Sequence, residues 1–297
     1  MMASLWHTFY ELVKGLLVLF VVVSFVMNVI RPYLPFDKIK QVMSSGRGMV
    51  GSFAGVVLGF VTPFCSCSTI PLMVTLLNRG VPFQAVMTFF FTSPLLNIWV
   101  LGLMALVYGW KVTAIYAVVT VVFSIVIGYV LDRLNFQEQI KAVIVEGQEE
   151  EDMKRRRCDW AHHLKLSIGE TWKLIRSVGL YIVIGAFIGA FIKEAVPTSV
   201  FSFFQNQSEW WVIPVAAVLG MPLYVRLSTI LPVTQALLAG GFPLAPVMSL
   251  IIGGAGASLP EVLMLTSIFK KRLMVAYMIA IFTMATFAGY LFLGLNL

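Results

Sequence analysis

The side chains best suited to chemistry in this 297-residue sequence crowd into Pro63-Phe64-Cys65-Ser66-Cys67-Ser68-Thr69-Ile70-Pro71. Cys65 and Cys67 flank Ser66, with Ser68 and Thr69 following, and thiolates are soft ligands for Cu(I), zinc and thiophilic metalloids. In an extended tip residues i and i+2 face the same side, so both sulfurs could reach one solute. Alternatively, Cys and Ser are simply small enough for a crowded turn. A redox pair is a third reading, but a membrane disulfide enzyme more usually shows Cys-x-x-Cys, a resolving pair and a quinone site, and none is visible. No further Cys or His completes a closed zinc site, and no cofactor motif is present. The chain has three cysteines, too few for a disulfide framework, and ring strain disfavours a bond between two that are one residue apart.

Further polar residues sit inside apolar surroundings: Ser93, Pro94 and Asn97; Arg226, Ser228 and Thr229; Ser258 and Glu261. A charge at mid-bilayer costs about 2.5–3.5 kcal/mol on insertion scales, so Arg226 and Glu261 call for a cavity or for each other. Arg226 beside helix N-termini suits an anionic solute. Glu261 could exchange a proton, and a static Arg226–Glu261 pair, or placement of the two at an interface, is the plainer reading. Cys158 with His162-His163 is a poorer metal candidate: adjacent histidines point to different helix faces and no fourth ligand is near.

What must position these residues follows from composition. At 59% hydrophobic, 12% charged and a mean hydropathy of +0.91, the chain is a polytopic all-α membrane protein rather than a soluble domain. Apolar stretches at 12–30, 83–107, 112–131, 180–192, 244–265 and 274–295 are mostly long enough to span a bilayer. The first lacks a basic n-region and a small-residue cleavage site, and reads as a retained helix. The runs 49–62 and 69–79 would each reach only roughly 17–21 Å as helices, against a hydrocarbon core of about 30 Å. They predict a re-entrant hairpin or broken helix turning at 65–68, tolerated in a membrane only where the tip lines a cavity. Pro94 among hydroxyls predicts a kinked or unwound segment, and Gly253-Gly254-Ala255-Gly256 before Ser258-Leu259-Pro260-Glu261 predicts another break.

Shifting the chain by 161 positions brings Gly59 onto Gly220, Pro71 onto Pro232, Gly80 onto Gly241, Tyr116 onto Tyr277 and Gly128-Tyr129 onto Gly289-Tyr290. The chain therefore divides into a first transmembrane repeat (1–134), a charged cytoplasmic linker (135–165) and a second repeat (166–297). Each repeat makes an odd number of crossings, which inverts the second relative to the first. One side then collects Arg31, Lys38, Lys40, Arg47, Arg79, Arg133, Lys141, the 154–157 basic run, Lys165, Lys173, Arg176 and Lys270-Lys271-Arg272. The other keeps little beyond Lys14, Lys111 and Lys193. The positive-inside rule makes the first side cytoplasmic and both termini extracytoplasmic. The net charge of +7 thus serves orientation and lipid headgroups, not nucleic acid. Residues 36–47 read as a basic, partly amphipathic cytoplasmic loop that could lie along the interface, and 197–211 as a polar, aromatic loop.

The pattern Pro63-x-Cys65-Ser66-Cys67-x-x-x-Pro71-Leu72, followed by Ser93-Pro94-Leu95-Leu96-Asn97 and the Gly-rich Ser258-Leu259-Pro260-Glu261, resembles the YraQ-like family of predicted bacterial permeases, which includes the methylarsenite exporter ArsP. The resemblance covers nearly the whole chain. It implies an integral cytoplasmic-membrane permease and, by analogy, efflux; it does not name the solute. With no P-loop motif, ATP hydrolysis within the chain is not expected. The expectation is a secondary transporter, not an enzyme. Its site lies between the tips at 65–69 and 226–229, with Ser93, Pro94, Asn97, Ser258 and Glu261 as wall. The solute is a thiophilic species such as a trivalent organoarsenical, or alternatively a small sulfur-containing anion. A thiol oxidoreductase and a purely structural membrane subunit are the remaining alternatives.

Overall fold

Glycines and short side chains decide where helices of this apolar chain can approach, and prolines and glycines decide where they stop. The computed structural model describes Lys14 and residues 36–44, 48–62, 66–141, 209–221 and 243–295. The expected crossings at 12–30 and 180–192, the linker beyond Lys141, Cys65, and the second tip with Arg226, Ser228 and Thr229 lie outside these residues.

The described elements are helical: α1 (Phe36–Ser44), α2 (Met49–Val61), α3 (Ser66–Asn78), α4 (Phe83–Thr92), α5 (Ile98–Arg133), α6 (Glu209–Gly220), α7 (Leu244–Gly256), α8 (Leu259–Ile268) and α9 (Lys271–Gly294). No strand occurs among the described residues beyond one isolated bridge, Ile140 with Phe269. Three helical stretches, Val100–Arg133, Leu244–Leu263 and Lys271–Gly294, are long and apolar enough to cross a membrane. Their outer faces keep Leu106, Trp110, Val118, Val122, Val275 and Ile279 exposed, as lipid-facing helices do.

The elements answer the sequence in detail. The stretch 83–107 is not one span: α4 ends at Thr92, and turns through 93–95 lead to a new helix at Ile98. Ser93 still has helical backbone (φ −55, ψ −45), and the stop follows at Pro94, which has no N–H to donate to the carbonyl one turn back. Leu95 N and Leu96 N both bond the Thr92 carbonyl, 3.1 and 2.8 Å, closing the turn. Within α5, Gly109 (φ 83, ψ 163) breaks the helix into 98–108 and 110–133. The second break falls at Ala257–Ser258, between α7 and α8, as the Gly-rich run and Pro260 predict. Trp210 and Trp211 lie in the first turn of α6 rather than in a loop.

Packing repeats with the same offset of 161 as the sequence. Helix α2 lies on α4 and α4 on α5; α6 lies on α7 and α7 on α9. A Cβ on Gly128 would meet Thr88 Oγ1 at 2.4 Å and the Gln84 carbonyl at 2.9 Å; one on Gly289 would meet Ser249 Cβ at 3.1 Å and the Ala245 carbonyl at 3.3 Å. Gly59 stands against Ser93 N as Gly220 does against Gly254 N. Buried polar contacts follow suit: Gln84 Nε2 donates to Ser52 Oγ at 2.9 Å, and Ser249 Oγ to the Ile213 carbonyl at 3.0 Å. These close approaches allow the dense packing on which helix association in lipid depends.

The start of the charged linker is not a free connector. After Arg133 a 3-10 turn (Phe136–Gln139) leads to a clasp. Lys141 N donates to the Ile268 carbonyl and Lys270 N to the Gln139 carbonyl, each at 2.8 Å. Lys141 Nζ reaches the Thr266 carbonyl at 2.7 Å and Lys270 Nζ the Glu138 carbonyl at 2.9 Å. Arg133, Lys141 and Lys270-Lys271-Arg272 therefore share one end of the molecule. Toward the other end of α9, Tyr290 Oη donates to the Trp210 carbonyl at 3.0 Å and the two ring centroids lie 5.2 Å apart at a 41° tilt, residue types enriched in interfacial aromatic belts.

Candidate functional site

A polar contact joins the first hairpin to the first break. Thr69, in the second turn of α3, and Ser93, just past the end of α4, are both fully buried, with their hydroxyl oxygens 3.2 Å apart. Gly59, near the end of α2, permits this meeting, because a Cβ there would stand 3.1 Å from Thr92 and 3.2 Å from Ser93 N. Thr92 Oγ1 is also buried, with no hydrogen-bond partner among the described residues. A buried orphan hydroxyl next to an unwound segment is a costly arrangement that calls for an explanation.

Of the extended tip expected at 65–68, residues 66–68 are helical, and Cys65 lies outside the described residues. Helix α3 already begins at Ser66, so Ser66, Cys67 and Ser68 belong to its first turn, and the alternation that would align residues two apart does not apply there. Pro94 and Asn97 are half-buried in the break, and the Asn97 carbonyl accepts the Leu101 N–H at 2.9 Å to start α5.

At the second break Ser258, half-buried, is the N-cap residue of α8, and its side chain makes no capping bond; its carbonyl accepts Val262 N at 2.9 Å. Glu261 lies in the first turn of α8 and is 1% exposed, which makes it the one charged residue among the buried side chains described. Tyr277 Oη stands 3.2 Å from Glu261 Oε1 and donates to the Gly256 carbonyl. The first half has the matching contact, Tyr116 Oη to the Leu95 carbonyl at 3.0 Å, without a carboxylate. Each break thus has one of its backbone carbonyls held by a tyrosine 21 residues on.

The breaks are neighbours. Helix α3 touches α8, and the rings of Phe90 and Phe91, just before Ser93, lie 5.7 and 5.4 Å from the ring of Tyr277. Thr69 and Ser93 are thus brought together directly, and Glu261 is joined to their surroundings through Tyr277. Thr92, Tyr116 and Tyr277 were not among the residues singled out for the site. The sequence did hold a signal for the tyrosines, since the repeat superposes them, but their partners are backbone carbonyls that no side-chain pattern reveals. Among the described residues no three His, Cys, Asp or Glu side chains form a group that could hold a metal ion.

Interrupted, polar helices meeting inside a helical membrane protein are a feature of many membrane permeases. More particularly, the chain belongs to the ArsP_1 family of predicted permeases, whose model matches residues 2–293. The UPF0718 protein YcgR of Bacillus subtilis is 26% identical over 88% of this chain and 89% of its own length. A putative two-component membrane permease complex subunit of Streptococcus mutans is 22% identical over 87% of this chain and 81% of its own. The UPF0718 protein YraQ of Escherichia coli is 23% identical over 82% and 68%. No solved structure matches the chain.

Proposed function

We propose that the chain is a secondary transporter of two inverted repeats, 1–134 and 166–297, joined by a cytoplasmic linker at 135–165. Inversion is supported by the clasp. The segment 110–133 corresponds to α9 under the 161-residue offset, yet the chain leaving Arg133 is bonded to the chain entering Lys271. Equivalent helices whose end and beginning lie together run in opposite directions, and they touch midway through Phe123 and Phe287, 4.9 Å between rings. Lys141 and Lys270–Arg272 mark that end as cytoplasmic, with both termini outside.

The observation that carries the transport reading is the buried Thr69–Ser93 contact between a hairpin and an unwound segment, with Thr92 Oγ1 beside it. Irregular polar backbone in lipid is tolerated where it lines a cavity, and interrupted helices at repeat interfaces build alternating-access sites. In this reading Ser66, Cys67, Ser68, Thr69, Ser93, Pro94 and Asn97 are the first half's contribution to the site. Arg226, Ser228, Thr229, Ser258 and Glu261 complete it from the second, and Cys65 completes the thiol pair. Two thiols favour a thiophilic solute such as a trivalent organoarsenical, moved outward across the cytoplasmic membrane.

The test is flux in proteoliposomes for a panel of arsenicals, copper and sulfur oxyanions, with and without a pH gradient. Arsenical flux that disappears in Cys65→Ser/Cys67→Ser, with unchanged protein level and melting temperature, is the expected result. Flux of a sulfur oxyanion alone, lost in Arg226→Ala, would replace the solute assignment. Absence of flux for the whole panel would count against transport by these breaks.

A further inference from the structure

Tyr277 has one hydroxyl proton and two acceptors within reach, the Gly256 carbonyl at the second break and Glu261 Oε1 at 3.2 Å. We infer that Tyr277 is a positioning residue that couples the protonation of Glu261 to the closure of the 256–258 break. This rests on the reading of the breaks as the transport site and supplies that site with a coupling ion, the proton.

When Glu261 is neutral, its own O–H donates to Tyr277 Oη and the phenol donates to the Gly256 carbonyl. Each of the two protons then has an acceptor. When the carboxyl gives its proton to water in the cavity, the carboxylate becomes the better acceptor, because hydrogen bonds to ionised groups are roughly twice as strong as neutral ones. The phenol keeps its proton and turns it from Gly256 to Oε1. The Gly256 carbonyl is released, and the backbone between α7 and α8 loses the bond that fixes it. Gly256 and Ala257 are fully buried there, so no bulk water competes for the carbonyl while the phenol holds it.

The first half supplies an internal control. Tyr116 makes the equivalent bond to the Leu95 carbonyl, but Val100 stands where Glu261 stands in the second half. That break is held by a strut with no titratable competitor. Among the described residues, the other ionisable groups on the elements around Tyr277 and Glu261 can be named. Helix α3 brings Cys67; α9 brings Lys271 and Arg272 at its start and Tyr290 near its end; α5 brings Tyr108, Lys111, Tyr116, Tyr129, Asp132 and Arg133; α6 brings Glu209; the clasp brings Glu138, Lys141 and Lys270. Helices α4 and α7 bring none, and Arg226, which the proposed function assigns to the same site, lies outside the described residues.

The experiment needs no transported solute. Infrared difference spectra between acidic and alkaline buffer are recorded on the full chain in lipid, beside amide hydrogen exchange of the 253–262 segment across the same pH range. The wild type is expected to lose a protonated-carboxyl band at alkaline pH and to show a step in exchange above the ordinary base-catalysed rise. Glu261→Gln is expected to lose both. Tyr277→Phe is expected to keep the band at a shifted position and to lose the step, while Tyr116→Phe changes neither. A band unmoved by Tyr277→Phe, a step that survives it, or a wild type without either signal overturns the coupling. Should Tyr277→Phe fail to fold, Glu261→Gln decides alone, since a step that persists in it has another cause. Solute flux lost with these signatures intact would instead count against the transport reading.

Discussion

Replacing glycine by alanine separates packing from helix propensity at three positions. An ideal Cβ on Gly220 would lie 2.5 Å from the Leu250 carbonyl oxygen and 3.0 Å from Gly254 N; one on Gly253 would lie 2.6 Å from the Ala217 carbonyl oxygen. Those neighbours are backbone and cannot rotate away, so α6 and α7 must part by roughly 0.9 Å to regain ordinary contact, and such a gap forfeits a quarter to a half of the dispersion energy along the seam. Overpacking of this kind costs about 1–3 kcal/mol. Alanine in a helix interior returns up to about 1 kcal/mol through propensity. The net expectation for Gly220→Ala or Gly253→Ala is a loss of about 1–2 kcal/mol, read as a melting temperature lower by a few degrees in detergent. Gly102→Ala meets nothing within 4 Å and keeps an ordinary helical backbone, so it is expected to hold or raise the melting temperature. If all three variants move in the same direction, the close approach of α6 and α7 is not what these glycines provide, and the packing argument fails.

Thr92→Val removes a buried hydroxyl that has no partner among the described residues, so it should leave thermal stability unchanged or raise it by up to about 1 kcal/mol while lowering solute flux. A stability loss with normal flux would mean that the hydroxyl is structural. Gly109→Ala forces φ 83, ψ 163 on a residue with a side chain and should cost about 1–3 kcal/mol, visible as a lower melting temperature. Impermeant labelling of single cysteines placed at residues 3 and 296 should modify both in intact cells, and modification of only one would reject the inverted topology.

Much of this arrangement was legible because backbone-defining residues carry it. Pro94 with Ser93 and Asn97 announced the first break, Gly253–Gly256 with Pro260 the second, and the paired Gly128 and Gly289 the packing of one half on the pattern of the other. Hydropathy alone misled where an apolar run hides a break: 83–107 is apolar throughout, yet it holds the end of one helix and the start of another. Residues 66–68, expected in an extended tip, are helical because Ser66 can open a helix as readily as it can sit in a turn. Tyr116 and Tyr277 were visible as a repeated pair but not as struts, since an aromatic in an apolar helix reads as core until its hydroxyl is seen on a carbonyl.

The short antiparallel bridge between Ile140 and Phe269, with a lysine from each segment reaching across to the other, has a practical corollary. It ties the two halves together upstream of nearly all the covalent connector. A protein nicked once between 142 and 165, or expressed as two pieces divided there, should still purify as a single particle, with each fragment seated on the other.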